Sequence, residues 1–162
     1  ENGAILSFDP NIREPLWKDM EDARTQMAYG LSVCDILKIS DNEIQWFSAK
    51  EDYTEGIHML QQTYQIPLIL LSMGRDGSRA YYKDMLVEVP AFLQKNTIET
   101  TGAGDTFGAC CLHHILKYGL DNLTKQQLKE MLTFANAAAS IITTRKGALR
   151  VMPSLEEIQR LL

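Results

Sequence analysis

The sequence holds little cysteine and no long apolar run, and its basic residues are outnumbered by acidic ones. Each shortage excludes something. Only Cys34, Cys110 and Cys111 carry thiols. An odd count is a poor disulfide framework, adjacent Cys110 and Cys111 do not readily pair, and their spacing is too tight for a metal centre. What remains is the expectation of three buried or half-buried thiols in a reducing cytoplasm. No apolar run reaches about 18 residues, so no membrane span is expected. Lys and Arg number 16 against 21 Asp and Glu, a net charge of -5 that argues against nonspecific nucleic-acid binding, which needs a basic face. At Glu1-Asn2-Gly3 there is no basic region followed by an apolar one, so no signal peptide is expected. There is no initiator Met either, and the expectation is a processed product or a piece of something longer.

What is present suffices for one domain: 162 residues, 45% of them hydrophobic, bury a real core. Ala4–Phe8 reads as a buried strand ending at the turn Asp9-Pro10-Asn11. Pro15 opens a helical pattern to about Leu31, with Leu16, Met20, Ala23 and Met27 at helical spacing. Strands are expected at Asp35–Ile39, Pro67–Met73, Ser78–Tyr82 and Leu86–Val89, the last two separated by the turn Lys83-Asp84. Helices are expected at about 42–47 and 51–64, with Ser48 and Glu51 as a capping box for the second. Another runs from Gly104 to Tyr118, stopped by Gly119. The next spans Lys125–Thr143, capped by Thr124 with Gln127 and burying Leu128, Leu132, Ala135, Ala139 and Ile142; a last short helix is capped by Ser154 with Glu157. Strands alternating with helices, and continuously apolar strands, predict a parallel sheet covered on both faces, with ligands gathering at the carboxyl ends of the strands.

The most informative stretch is Glu99-Thr100-Thr101-Gly102-Ala103-Gly104-Asp105-Thr106-Phe107. Unpaired amides at a glycine-rich helix start make an anion site, because the helix dipole is positive there. An aspartate beside an anion site repels the anion and needs another purpose. The simplest is to take a proton from a hydroxyl that attacks a bound phosphate. The stretch therefore predicts phosphoryl transfer.

With these residues on the page, the chain resembles the C-terminal half of ribokinase-like (pfkB-type) carbohydrate kinases, above all their fructokinase branch. The resemblance runs through Asp9-Pro10-Asn11-Ile12-Arg13 with Leu16-Trp17, Lys38-Ile39-Ser40-Asp41-Asn42-Glu43, and Ser72-Met73-Gly74-Arg75-Asp76-Gly77. It continues through the Gly-Ala-Gly-Asp stretch, Phe134–Ser140 and Thr144-Arg145-Lys146-Gly147-Ala148. It implies a three-layer α/β/α, Rossmann-like sheet with helices on both faces, and transfer of the ATP terminal phosphate to a sugar hydroxyl, with fructose the first guess. Residues 1–162 would be the nucleotide-binding and catalytic half; the N-terminal half with its β-sheet lid would be missing, since family members have about twice this many residues. By the same resemblance Asp105 is the base, and the amides of Gly102, Ala103 and Gly104 form the anion hole. Glu43 organises Mg²⁺ through water. Ser40, Ser72, Gly74 and Gly77 line the nucleotide, Asn136 lies on the adenine side, and Asn11 and Arg13 lie near phosphate or sugar. Glu99 stands where an aspartate usually precedes the Thr-Thr-Gly, which puts a K⁺ site in question.

The expected partners are ATP, a sugar and the remaining half of the kinase, or a second copy of this chain, because half a sheet exposes an apolar edge. The chain alone is expected to be inactive. Two rival readings follow from the same residues. One is a noncatalytic nucleotide-binding or regulatory module. The other is a dinucleotide-binding domain built on the Gly102, Gly104, Gly108 spacing, which wants a strand before the glycines and another after the helix.

Overall fold

The computed structural model describes residues 3–162. Glu1 and Asn2, read above for the missing leader, lie outside the described residues. In order come β1 (Ser7–Phe8), α1 (Met20–Val33), β2 (Ile36–Ser40), α2 (Asp41–Ser48), α3 (Tyr53–Tyr64), β3 (Leu68–Ser72), β4 (Ser78–Tyr82) and β5 (Met85–Val89). The helices α4 (Ala103–Tyr118), α5 (Lys125–Ile142) and α6 (Leu155–Leu161) follow. Single 3₁₀ turns lie at Glu14–Leu16, Gly74–Asp76 and Leu149–Val151.

The five strands form one sheet in the order β1-β2-β3-β4-β5. The pairs β1–β2 and β2–β3 are parallel, with Phe8 opposite Leu37, and Ile36 through Ser40 opposite Leu68 through Ser72. The connections from β3 to β4 and from β4 to β5 are too short for a parallel crossover, so these strands double back and the sheet is mixed. The α/β class is as the sequence predicts, with β1, β2 and β3 parallel and the turn at Lys83-Asp84 reversing the chain between β4 and β5.

The chain divides into two compact units, Glu1–Ser72 with Tyr81–Asp84, and Met73–Ala80 with Met85–Leu162. In the first, Leu68-Ile69-Leu70-Leu71 of β3 is buried throughout, as a strand covered on both faces must be. Ile36, Leu37 and Ile39 of β2, Ile44 of α2, and Ile57 and Leu60 of α3 complete that core. In the second, α5 packs along α4 and against β5. Its small residues Ala137 and Ala138 form a cluster with Ile158 of α6, flanked by Phe92, Cys110, Phe134, Ile141 and Leu161. Ala139, expected to be buried, is only half-buried.

Several local expectations are corrected. Ala4–Phe8 is not a buried strand: only Ser7–Phe8 pairs, and Ile5 and Leu6 are 47% and 50% exposed. The reason is position, because β1 ends the sheet order and pairs with β2 alone. The helix does not start at Pro15. Pro15 lies in a 3₁₀ turn, Leu16 is exposed, and α1 begins after Asp19, whose extended backbone and side-chain bond to the Glu21 amide make the stronger cap. Ser48 does not cap α3; Asp52 does, accepting from the Glu55 amide at 3.0 Å. Ser48 instead donates back to the Ile44 carbonyl at 2.7 Å, a bond available inside a helix. The capping boxes at Thr124 with Gln127 and Ser154 with Glu157 are formed as expected.

Gly77 shows why this turn demands glycine. Its φ is +100°, and a Cβ there would lie 2.2 Å from the Val89 carbonyl oxygen and 2.8 Å from Pro90 Cα. Backbone strain and a backbone clash thus coincide. Gly77→Ala is expected to cost about 2 kcal/mol or more of folding stability, read from the denaturant midpoint. An unshifted midpoint would mean that residues 89–91 give way freely.

Candidate active site

In the first unit the candidate residues sit at the carboxyl ends of parallel strands. Ser40 and Ser72 end β2 and β3 side by side, and Asp9-Pro10-Asn11 follows β1. Asn11 has φ +42°, a left-handed backbone that asparagine tolerates better than most residues. Lys38 comes up in the middle of an otherwise apolar strand, a charge that needs a partner when it leaves water. Asp9 supplies it, with the Lys38 Nζ 3.2 Å from a carboxylate oxygen and the lysine side chain only 11% exposed.

Glu43 ties this region together. Its Oε1 accepts from the Ile12 amide at 2.9 Å, and its Oε2 accepts from the Ser40 amide at 2.9 Å and the Ser40 hydroxyl at 2.8 Å. One carboxylate thus fastens the loop after β1, the end of β2 and the start of α2. Each carboxylate oxygen accepts twice, so Oε1 keeps a lone pair for a metal-bound water. Ser40 is the N-cap of α2, its hydroxyl engaged with Glu43. Ser72 donates weakly to the Ile39 carbonyl, at 3.5 Å. Asn11 and Arg13 are exposed, and Arg13 has no ion pair among the described residues.

In the second unit the glycine-rich stretch starts α4, as its composition predicts. Gly102 is the N-cap, with φ +78°. An N-cap normally has extended backbone and a side-chain oxygen that covers an amide of the first turn. Gly102 has neither, and a Cβ there would crowd Ile142 Cδ1 at 3.2 Å and Ala148 Cβ at 3.3 Å. The Ala103 amide is engaged, donating to the Thr100 carbonyl at 3.1 Å. At this helix start the amides of Gly102, Gly104 and Asp105 have no backbone acceptor among the described residues.

Asp105 is the third residue of α4 and is exposed. The five other α-helices all carry an acid or amide at the same third position: Asp22, Glu43, Glu55, Gln127 and Glu157. Glu43, Gln127 and Glu157 fold their side chains back onto their own N-caps. The Asp105 carboxylate does not, and makes no hydrogen bond or ion pair among the described residues. Behind it, Thr106 Oγ1 is buried with no partner among the described residues.

The other candidates in this unit differ in kind. Gly74 is exposed at φ +53° with open space around it, whereas Gly77 is buried against residues 89–91. Asn136 is 7% exposed, and its amide nitrogen donates to the Val89 and Pro90 carbonyls at 3.1 Å each. Its side-chain nitrogen is thereby engaged inside the fold. Glu99 Oε1 accepts from the Gly147 amide at 2.6 Å.

Burial disfavours the thiolate form of the three cysteines. All three are free; burial pushes Cys34 and Cys110 up to about 11 and Cys111 well above its ordinary value. Among the described residues no helix is long and apolar enough to cross a membrane. Sequence reasoning assigned no role to the Lys38–Asp9 pair, although a lysine inside Ile36-Leu37-Lys38-Ile39 was a signal for one.

Three comparisons bear on this geometry. Residues 1–155 match the pfkB family of carbohydrate kinases. Fructokinase-1 of Zea mays is 35% identical over 162 residues, all of this chain and 50% of its own length. The crystal structure of fructokinase from Vibrio cholerae O395, bound to fructose, ADP and calcium ion, superposes with a TM-score of 0.86 at 27% identity, over 96% of this chain and 50% of that one. Fructokinase from Xylella fastidiosa with bound ATP gives 0.85 at 28% identity, over 98% and 52%. The chain thus spans about half the length of these relatives.

The Glu43 tie has a direct test. Glu43→Ala is expected to lose about 1–2 kcal/mol of stability and to expose the Ile12 amide to hydrogen exchange, while Glu43→Gln retains part of both. Unchanged Ile12 exchange in Glu43→Ala would mean that the loop holds itself.

Proposed function

This chain belongs to the pfkB family of carbohydrate kinases, and we propose that it is the nucleotide-binding and catalytic half of an ATP-dependent sugar kinase acting on fructose. The observation that carries this reading is Asp105, a carboxylate left unpaired at a helix start whose Gly102, Gly104 and Asp105 amides are also uncovered. At α2, α5 and α6 the N-cap and the third residue cover such groups reciprocally.

The chemistry then divides among few groups. The sugar hydroxyl gives its proton to the Asp105 carboxylate as its oxygen attacks the terminal phosphorus of ATP, and the bond to the β-phosphate oxygen breaks. The uncovered amides at Gly102, Gly104 and Asp105 are fixed dipoles aimed at the oxygens that gather negative charge. Glu43 would hold Mg²⁺ through water, and the ion would neutralise phosphate charge. Arg13 and Asn11, exposed beyond β1, bind phosphate or sugar. Ser72 and Gly74 lie along the nucleotide, whereas Ser40 and Gly77 shape its surroundings. Glu99 is turned to the Gly147 amide.

Fructose rests on the Asp-Pro-Asn-Ile-Arg segment and on the relatives named above. A dinucleotide-binding reading loses ground, because no strand immediately precedes α4 and α5, not a strand, follows it. The noncatalytic nucleotide-binding module shares every uncovered amide and is separated by turnover.

Calorimetric titration of the chain with Mg²⁺ and a nonhydrolysable ATP analogue is expected to show binding, with none for NADH; binding of NADH alone would sink the kinase reading. The 162-residue chain by itself is expected to phosphorylate no fructose. Joined to a complementary fructokinase half it is expected to turn over, and Asp105→Asn is then expected to lower kcat by about 10²-fold or more with nucleotide affinity nearly unchanged. Near-normal turnover in that variant would remove Asp105 from the mechanism, and no turnover in the rejoined parent protein would favour the noncatalytic module.

A further inference from the structure

The connector from β5 to α4, residues 90–102, leads straight into the glycine-rich helix start, yet it contains no helix or strand. Between residues 90 and 97 no amide donates to a backbone carbonyl among the described residues. Within the connector the Thr97 hydroxyl donates to the Gln94 carbonyl at 3.2 Å across the turn at 95–96. The rest of its order comes from α5. Asn136 donates to the Val89 and Pro90 carbonyls at 3.1 Å each. One turn on, Ser140 Oγ accepts from the Gln94 side-chain amide at 3.1 Å while donating to the Ala137 carbonyl at 2.8 Å. At the end of the helix the Thr143 carbonyl accepts from the amides of Ile98, at 2.8 Å, and Glu99, at 3.3 Å. Glu99 then binds the Gly147 amide.

Positions 136, 140 and 143 are spaced by four and three, so they share one helix face. The connector meets them in the same order. Along this face α5 rises about 10 Å from 136 to 143, whereas ten extended residues would span about 33 Å. The connector is therefore folded against the helix rung by rung and not stretched between its ends. Asn136 and Ser140 are each 7% exposed, buried polar side chains whose partners are on the connector.

We infer that Asn136 and Ser140, with the Thr143 carbonyl, form a polar ladder that sets where the Gly102–Asp105 amides stand, so that Asn136 and Ser140 are positioning residues for phosphate binding and make no contact with the nucleotide base. The phosphate part of this statement rests on the kinase reading; the ladder itself does not. It also gives Asn136 a reason to sit in a helix interior, where its propensity is poor.

Gln94→Ala removes the middle rung from the connector side without touching α5, and Ser140→Ala removes it from the helix side. Hydrogen exchange of the 162-residue chain is read at the bonded amides of Ile98, Ala103 and Gly147, against interior amides of α4 and α5. Each variant is expected to speed exchange at the three connector-linked amides by about tenfold, with the helix interiors unchanged and the double variant no worse than either single one. Unchanged exchange at Ala103, or a uniform rise through α5, would overturn the ladder. In parallel, Gln94→Ala and Asn136→Ala are titrated with adenosine and with the nonhydrolysable ATP analogue plus Mg²⁺. Weakened analogue binding with adenosine binding intact supports phosphate positioning. Weakened adenosine binding in Asn136→Ala would overturn it in favour of a base contact. If the parent chain binds neither compound, the kinase reading fails and phosphate positioning fails with it, while the exchange measurement still decides the ladder.

Discussion

A helix start leaves amides that no residue of the helix can accept, and something must cover them. At α2, α5 and α6 the N-cap side chain and the third residue of the helix satisfy each other's amides reciprocally. At α1 and α3 an aspartate N-cap accepts from one first-turn amide. At α4 the cap is a glycine in a left-handed conformation, and the first-turn amides of Gly104 and Asp105 stay open. Among the described α-helices α4 alone has no side-chain cap. A stable domain tolerates such an exception where a ligand supplies the missing partner.

Glu43 shows that a structural and a chemical role need not compete. Its two oxygens hold three protein donors, a demanding arrangement for a side chain that is also proposed to hold a metal-bound water. The bonds fix the carboxylate's position, which is what a metal ligand requires. Asn136 is the contrary case. Its side-chain nitrogen is engaged within the fold, and what it does for a ligand it does through the backbone it holds.

Much of the fold was legible in the sequence because it depends on local signals. Gly119 stops α4, and Thr124 with Gln127 and Ser154 with Glu157 cap their helices where spacing placed them. The glycine-rich helix start was legible for the same reason. Legibility ended where a contact joins distant residues. The capping box of Ser40 and Glu43 went unread, and the Glu43 bond to the Ile12 amide spans 31 residues. The Asn136 bond to the Val89 carbonyl spans 47. No spacing reveals that the Ala103 amide closes a turn onto Thr100, or that Gly77 faces the backbone of residue 89. The exposure of Ile5 and Leu6 was misread because an apolar run does not announce whether its strand lies inside a sheet or at its edge.

The buried thiols have a practical corollary. With burial raising all three native thiols above their ordinary range, little of any of them is thiolate at neutral pH. A cysteine introduced at an exposed position such as Asn11 carries far more thiolate at the same pH. Maleimide dyes would then label that site ahead of the native thiols, and a fluorophore beside the strand ends would report ligand arrival without any native cysteine being replaced.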